Sequence, residues 1–187
     1  EKLNQILNHR FNRELPTAVS LSVIMGQLEE PLRARLEDAE QVMIVILGEN
    51  SPHSRPHPDK LETELIRRMT FEAFDTRGNR ADATDQDTLV VALTAAKSFA
   101  QTPEDWLVFT GEPGCGKTHL AAAILNQRMR YGYHDGRLEF VPDLLDHLRY
   151  TFSPHNSATY DRLFEEIRTA PVLILDDLGA QSSTPWA

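Results

Sequence analysis

Eight consecutive residues near the middle of the chain have the types and spacing that bind polyphosphate. Residues 111–118 read Gly-Glu-Pro-Gly-Cys-Gly-Lys-Thr, which matches the pattern G-x-x-x-x-G-K-[ST]. Glycine lets the main chain curl tightly, so that several N–H groups can point at one anion. We therefore predict a phosphate-binding loop, with His119 just beyond it. The residues expected around the nucleotide are Gly111, Glu112, Pro113, Gly114, Cys115, Gly116, Lys117 and Thr118.

The last two residues of this loop supply the groups that a nucleoside triphosphate needs. Lys117 brings a mobile positive charge to the β and γ phosphates, and the Thr118 hydroxyl can ligate Mg²⁺. A helix that begins at Lys117 also directs the positive end of its dipole at the phosphates. Because the loop lies between a predicted strand and a predicted helix, these residues favour a site for ATP and Mg²⁺ over a chance glycine-rich turn.

A second candidate element is an apolar strand that ends in two acids. Residues 171–177 read Pro-Val-Leu-Ile-Leu-Asp-Asp. We expect this strand to lie beside the strand that precedes the loop, so that Asp176 holds Mg²⁺ and Asp177 orients or deprotonates the attacking water. Glutamate is more usual at the second position, and the shorter aspartate would slow hydrolysis. The alternative is a solvated strand end before a turn at Gly179.

Hydrophobic periodicity predicts strands that alternate with helices along the chain. The continuous apolar run at residues 42–47 predicts a strand covered on both faces. Prolines at 52, 56 and 58 predict a linker over residues 48–60. We therefore expect a three-layer α/β/α fold with a mostly parallel sheet of about five strands. The predicted strands are residues 17–22, 41–47, 106–110, 138–141 and 172–175, and the predicted helices are residues 2–12, 28–38, 61–69, 87–101, 117–130, 143–150 and 160–169.

Length and composition restrict the class of protein. The chain has 187 residues, 41% of them hydrophobic, which suits one domain with a core. A net charge of −9 argues against a protein that coats nucleic acid over a wide surface, so a DNA contact would be local or shared across an assembly. The apolar runs are strand-sized and no signal peptide opens the chain, so we expect no membrane helix and a cytoplasmic location. The single cysteine fits a reducing compartment.

Three segments together resemble one family. Residues 69–75 read Met-Thr-Phe-Glu-Ala-Phe-Asp, residues 111–124 contain the phosphate loop and the start of its helix, and residues 173–187 begin Leu-Ile-Leu-Asp-Asp-Leu-Gly. In this combination the chain resembles the DnaC/DnaI/IstB-like group of AAA+ ATPases, which are bacterial helicase loaders and transposition helper proteins. The resemblance implies a P-loop NTPase core of the AAA+, RecA-like ASCE type. It runs from about residue 69 to the last residue.

The amino-terminal residues resemble the same family, but in an unusual order. Residues 1–12, 15–20 and 31–36 are similar to family segments that normally follow the Ser-Thr-Pro-Trp-Ala sequence found here at residues 183–187. Either the chain is a circular permutant, or it holds the end of one module and the start of the next. We favour one composite domain, because the pieces add up to a complete core. Its parts are residues 1–47, a linker at 48–60, and the phosphate-loop half at 61–187.

The resemblance also assigns roles to residues outside the phosphate loop. Ser22 matches the polar sensor position, usually asparagine, that helps position the attacking water. Arg35 matches the arginine finger, with Arg33 as the nearby alternative; such an arginine normally reaches a neighbour's nucleotide, which implies a homo-oligomer. The bland interpretation of both arginines is a solvated helix face. Phe71 and Phe74 either flank the adenine or pack their segment onto the core.

Three functions are compatible with these residues. The first is an ATP-hydrolysing remodeller that binds single-stranded DNA and a protein partner: a replicative helicase if the chain acts as a helicase loader in DNA replication, or a transposase if it is an IstB-like transposition helper. The second is a nucleotide-gated binding module with little turnover, suggested by Ser22 and Asp177. The third is a P-loop kinase for a small molecule, which the resemblance disfavours.

Overall fold

The computed structural model describes residues 2–47, 63–77, 83–151 and 157–180. Within these ranges helices and strands largely alternate, as the periodicity predicts. The predicted linker at residues 48–60 lies outside the described residues. The elements are α1 (Lys2–Asn12), β1 (Thr17–Leu21), a 3₁₀ turn (Met25–Gln27), α2 (Glu30–Leu36), β2 (Val42–Leu47), α3 (Thr63–Arg68), α4 (Ala83–Gln101), β3 (Trp106–Gly111), α5 (Lys117–Arg130), β4 (Gly136–Phe140), α6 (Val141–Thr151), α7 (Ser157–Arg168) and β5 (Val172–Leu178).

The strands form one parallel sheet in the order β2-β3-β1-β5-β4. The prediction of a mostly parallel sheet of about five strands is therefore confirmed. The first strand of the chain lies at its centre: Thr17 pairs with Trp106 of β3 on one side and with Leu173 of β5 on the other. The expectation that β5 lies beside β3 is wrong, because β1 lies between them. All five residues of β1 are buried, which suits a central strand and leaves no exposed face.

Helices cover the sheet on both faces and bury two hydrophobic clusters. One cluster joins apolar residues of α1, α2, α6 and α7 to the sheet, and the other joins residues of α4 and α5 to the opposite face. Alternation along β1 explains this division, since Val19 contributes to the first cluster and Ala18 to the second. The result is the three-layer arrangement expected from the sequence. No helix in the described ranges is both long and apolar enough to cross a bilayer.

The prediction that residues 42–47 are covered on both faces is wrong. In the described part of the chain β2 is an edge strand that pairs with β3 alone. Met43 is 59% exposed, Ile44 41% and Ile46 49%. Val45 and Leu47 are buried in the cluster with α4 and α5. A continuous apolar run does not distinguish a central strand from an edge strand, because the outcome depends on which helices lie over it.

The acidic strand extends further than predicted and is irregular. β5 runs through both acids to Leu178. Val19 pairs with Leu175, but Leu21 pairs with Leu178, so one residue of β1 lies opposite two residues of β5. Such an insertion is a β-bulge, and Ser20 is the residue opposite it. The period-two pattern of the sequence carries no sign of this shift.

A buried arginine joins distant parts of the chain at the amino edge of the sheet. The Arg10 guanidinium is fully buried and donates to the carbonyl oxygens of Pro16 and Ala170, each at 2.7 Å. It also donates to the Thr17 hydroxyl at 3.0 Å and, at longer range, to the last carbonyls of α7. Burial lowers the pKa of Arg10 to about 10, so the group stays charged at neutral pH. A cation at the carboxyl end of α7 is also favoured by the helix dipole.

We expect the substitution Arg10→Met to lower the free energy of unfolding by at least ~3 kcal/mol, because several buried carbonyls lose their donor. Urea unfolding followed by circular dichroism measures the change. Arg13→Met is the matched control, because Arg13 is an exposed arginine just after the same helix and should change stability by no more than ~0.5 kcal/mol. Equal losses in the two variants would contradict a specific role for Arg10.

Candidate nucleotide-binding site

The phosphate loop connects the end of β3 to the start of α5, and its glycines adopt backbone angles that other residues seldom adopt. The φ angles of Gly111, Gly114 and Gly116 are +146°, +87° and +104°. A Cβ atom on Gly111 would lie 2.1 Å from the Leu47 carbonyl oxygen, and one on Gly116 would lie 2.6 Å from Cε2 of Phe74. Glycine is therefore required at these two positions both for conformation and for space.

Lys117 folds back over the loop. Its side chain is buried, and Nζ donates to the carbonyl oxygens of Gly111 at 2.8 Å and Glu112 at 2.9 Å. Glu112, Pro113 and Gly114 are exposed at the crest of the loop. No side chain caps α5 at Gly116, so the positive end of the helix faces the loop. The ammonium group and the first amides of α5 can therefore act on one anion.

Cys115 lies inside the loop beside Lys117. Its Sγ atom is 3.8 Å from Lys117 Nζ, and the residue is half-buried. Burial raises the pKa of the Cys115 thiol, and the positive charge of Lys117 only partly offsets this effect. The group is therefore a neutral thiol at physiological pH.

The acids at the end of β5 are held by a residue that the sequence analysis did not select. Asp176 is 1% exposed, and its Oδ1 accepts a hydrogen bond from the Ser20 hydroxyl. The same hydroxyl oxygen accepts the main-chain N–H of Asp177 at 2.9 Å. Asp177 is half-buried and has φ of +63°. The residue that holds the acids is Ser20. The signal in the sequence was a serine within a predicted apolar strand, two positions before the predicted sensor Ser22.

The register of the sheet brings the acids, Ser22 and the phosphate loop to the same side of the sheet, at the carboxyl ends of the strands. Ser20 of β1 pairs with Phe109 of β3, and the same offset puts Ser22 level with Gly111. Ser22 donates its N–H at 3.0 Å and its hydroxyl at 3.1 Å to the carbonyl oxygen of Leu178. Because all the strands are parallel, their carboxyl ends meet at this edge, where ligands of open α/β sheets bind.

Two aromatic candidates from the residue 69–75 segment have different environments. Phe74 packs against Gly116 and contacts the His119 ring edge-to-face at 5.3 Å between centroids. His119 Nε2 lies 2.8 Å from the Thr70 carbonyl oxygen and ties this segment to α5. Phe71 is buried in the cluster that α4 and α5 form with the sheet, and Phe74 packs at the margin of the same cluster. Phe74 therefore lies beside the phosphate loop, whereas Phe71 has a packing role.

Arg35 lies on α2, the helix that precedes edge strand β2. It is in the last turn of α2, and its Nη1 donates to the Pro31 carbonyl oxygen at 2.6 Å. The chain then enters β2 at Val42, which pairs with Trp106 at the start of β3. The phosphate loop begins at Gly111, the other end of β3, which is ~17 Å from Trp106 at the usual rise per residue of a strand. Arg33 instead pairs with Glu30 on α2.

The donors near the loop suit a magnesium ion that is shared with phosphate. Within the described ranges no three side chains among His, Cys, Asp and Glu gather to form a metal cage. The Thr118 hydroxyl and the Asp176 carboxylate are hard oxygen ligands, and Mg²⁺ typically uses one or two such groups together with phosphate oxygens and water. The residues therefore fit a nucleotide-bound Mg²⁺ better than a metal held by protein alone.

The fold and the loop define the class of protein. A parallel α/β sheet in which one strand leads into this glycine-rich loop, followed directly by a helix, is the core of a P-loop NTPase. Residues 59–184 match the family model described as IstB-like ATP binding protein. The chain belongs to this ATP-binding family.

Curated relatives point in the same direction. The chain is 32% identical over 97 residues to the replicative helicase loader DnaC of Buchnera aphidicola subsp. Acyrthosiphon pisum, over 50% of this chain and 39% of the relative. It is 32% identical over 99 residues to DnaC of Escherichia coli K12, over 51% and 39%. It is 33% identical over 91 residues to the replicative helicase loader DnaI of Bacillus subtilis, over 48% and 28%. The chain thus spans well under half the length of these relatives. No solved structure matches it significantly.

We expect the substitution Gly116→Ala to weaken ATP binding by at least ~10-fold, equivalent to ~1.4 kcal/mol, because alanine is strained at positive φ and meets Phe74. Titration with a fluorescent ATP analogue measures the affinity. Gly26→Ala is the matched control, since a Cβ atom there meets nothing within 4 Å. Unchanged affinity in Gly116→Ala would show that this loop is not the nucleotide site.

We expect iodoacetamide to modify Cys115 slowly near neutral pH, because the raised pKa leaves little thiolate. The rate should keep increasing with pH beyond the range in which an unperturbed cysteine has levelled off, and ATP should reduce it at every pH. Mass spectrometry gives the rate at a single position, because the chain has one cysteine. The urea-unfolded chain is the control. Rapid labelling that ATP leaves unchanged would contradict this geometry.

Proposed function

We propose that this chain binds ATP with Mg²⁺ at the phosphate loop and hydrolyses it as a AAA+ ATPase. The observation that carries the proposal is the convergence of three elements at one sheet edge: the loop after β3, the acids of β5 and Ser22 after β1. ATP, a metal ligand and a group that orients water are all required there for hydrolysis. A P-loop kinase needs in addition an acceptor pocket and a lid, and membership of the IstB-like ATP-binding family argues against that interpretation.

Each residue in the proposed mechanism has a defined task. Lys117 neutralises charge on the β and γ phosphates, while Thr118 and Asp176 would hold a magnesium ion, which would offset further phosphate charge. Asp177 orients the attacking water and accepts its proton, with Ser22 positioning that water. Arg35 supplies positive charge to the transferring phosphoryl group on a neighbouring subunit. The last task requires an oligomer, because an arginine finger normally reaches the nucleotide of a neighbouring subunit.

We also propose that residues 1–47 and 61–187 form one composite domain, joined by a linker at residues 48–60. The pairing of β1 with β3 and β5, and of β2 with β3, supports this proposal. Without β1 the strand that carries the phosphate loop and the strand that carries the acids have no common neighbour. The order of the family segments along this chain is then a circular permutation of the usual order, which domains with adjacent ends tolerate.

The biological role that we propose is that of a helicase-loader-like factor in DNA replication, which binds single-stranded DNA and acts on a replicative helicase. The names of the relatives, replicative helicase loaders DnaC and DnaI, support this role. The alternative is an IstB-like transposition helper that acts on a transposase; the family model, described as IstB-like ATP binding protein, is compatible with it. With a net charge of −9, DNA contact requires a local patch or one shared between subunits.

A mixing experiment tests hydrolysis and the shared arginine together. Lys117→Ala removes nucleotide binding but retains Arg35, and Arg35→Ala does the reverse. We expect each variant alone to lose at least ~10³-fold of ATP turnover, on the scale of known arginine fingers. A mixture of the two should recover measurable turnover, because some interfaces combine an intact loop with an intact arginine. Phosphate release with and without single-stranded DNA is the measurement.

The control for this experiment is Arg33→Ala, which removes a neighbouring cation of α2 that pairs with Glu30 and Glu37. Its turnover should remain close to that of the unmodified chain. Recovery of activity in the mixture supports a DNA-coupled oligomeric ATPase if turnover also rises with DNA. Tight ATP binding without turnover in the unmodified chain would instead identify a nucleotide-gated switch. Loss of activity in Arg33→Ala but not Arg35→Ala would move the finger to Arg33.

A further inference from the structure

The β-bulge of β5 changes which faces its residues present. Leu173, Leu175 and Leu178 are all buried in the cluster beneath α1, α2, α6 and α7. Strict alternation would put Leu178 on the opposite face from the other two, since it is three residues after Leu175. The inserted residue restores Leu178 to the buried face. The two acids lie at the insertion, so burial of Leu178 and placement of the acids are parts of one local structure.

A single hydroxyl group holds both residues of this bulge. Ser20 is 1% exposed and lies directly opposite Asp176 and Asp177. Its hydroxyl donates to the Asp176 carboxylate and accepts the Asp177 main-chain N–H at 2.9 Å. A bulge disrupts the regular ladder and leaves its extra residue without the usual backbone partner. In this chain the Ser20 side chain provides that partner.

The second acid is in a conformation that needs such support. Asp177 has φ of +63°, in the left-handed region, where aspartate is tolerated better than most residues but still at some cost. Its carbonyl oxygen accepts the N–H of Ala180, so the chain turns directly after it. Beyond the bulge, Ser22, the residue after β1, binds the Leu178 carbonyl oxygen through two hydrogen bonds. Contacts from the end of β1 therefore hold β5 at the acids, through Ser20, and directly after the acids, through Ser22.

We propose that Ser20 is a positioning residue for the magnesium-nucleotide site. Its hydroxyl locks the Asp176 carboxylate and the Asp177 main chain together and so sets the direction in which the two acids face the phosphate loop. This inference rests on the proposed function, because it concerns the acids assigned there to Mg²⁺ and water. In this role Ser20 acts through the two acids that it binds and not as a ligand of the metal. Groups that orient a metal ligand in this way usually change metal affinity ~10–100-fold when they are removed.

The test is the Mg²⁺ dependence of nucleotide binding, measured with a fluorescent ATP analogue in EDTA and at increasing Mg²⁺. For Ser20→Ala we expect the Mg²⁺ concentration at half-maximal effect to rise at least ~10-fold. Binding in EDTA should remain close to that of the unmodified chain, because the phosphate loop is untouched. Ser20→Thr keeps the hydroxyl and should retain the normal Mg²⁺ dependence. Ser98→Ala is the matched control, since Ser98 is an exposed serine of α4.

A second measurement does not involve nucleotide. The amide of Asp177 should exchange its hydrogen slowly in the unmodified chain and much faster in Ser20→Ala. Normal Mg²⁺ dependence in Ser20→Ala overturns the inference, as does rapid exchange of Asp177 in the unmodified chain. If Ser20→Ala does not fold, a folded Ser20→Thr that loses its Mg²⁺ response overturns it too. If the unmodified chain shows no Mg²⁺-dependent binding, the proposed function fails. The exchange data then still test whether the Ser20 hydroxyl holds the main chain of Asp177.

Discussion

The structure depends on the insertion of β1 between β3 and β5. A strand of five residues, all buried, provides hydrogen bonds to a neighbour on each side and apolar side chains to both hydrophobic clusters. Because the strand contributes to both faces at once, its removal would open the centre of the sheet rather than one edge. The phosphate loop follows one of its neighbours and the acids lie on the other, so their separation is set by the width of this strand.

Contacts at both ends of β1 reinforce this arrangement. At the amino edge, Arg10 joins the entry to β1 with the end of α7 through buried hydrogen bonds to carbonyl groups. At the carboxyl edge, Ser20 and Ser22 bind the irregular end of β5. The two sets of contacts join residues more than 150 positions apart in sequence. Polar groups at the ends of a buried strand therefore give it a single register, which apolar packing alone specifies less strictly.

The candidate site combines rigid and adaptable parts. Steric contact with Leu47 and Phe74 allows only glycine at two positions of the phosphate loop. Lys117, in contrast, is held by carbonyl groups of the loop itself, and these hydrogen bonds can be exchanged for bonds to phosphate. The acids are fixed by main-chain and hydroxyl contacts, which suits groups that must stay at a defined distance from a metal. The positions of the two acids therefore depend on the irregular path of β5 as well as on the presence of aspartate at these positions.

The sequence by itself determined the phosphate loop and most of the elements. The spacing of Gly111, Gly116, Lys117 and Thr118 identified the loop, because few other arrangements of these residue types have a physical use. The predicted helix at residues 117–130 agrees with α5, and the periodicity correctly indicated a mostly parallel sheet of about five strands. These features follow from local rules of backbone conformation and hydrophobic alternation, which operate over a few neighbouring residues.

Only the tertiary structure decided the order of the strands, the exposure of β2 and the bulge at the acids. The position of β1 between β3 and β5 depends on pairings across more than 80 residues, and the exposure of Met43 depends on which helices cover the sheet. The role proposed for Ser20 depends on the burial of Leu178 and on the register shift of β5. Each of these features is fixed by contacts between elements that are far apart in the chain, and such contacts leave no periodic trace in the sequence.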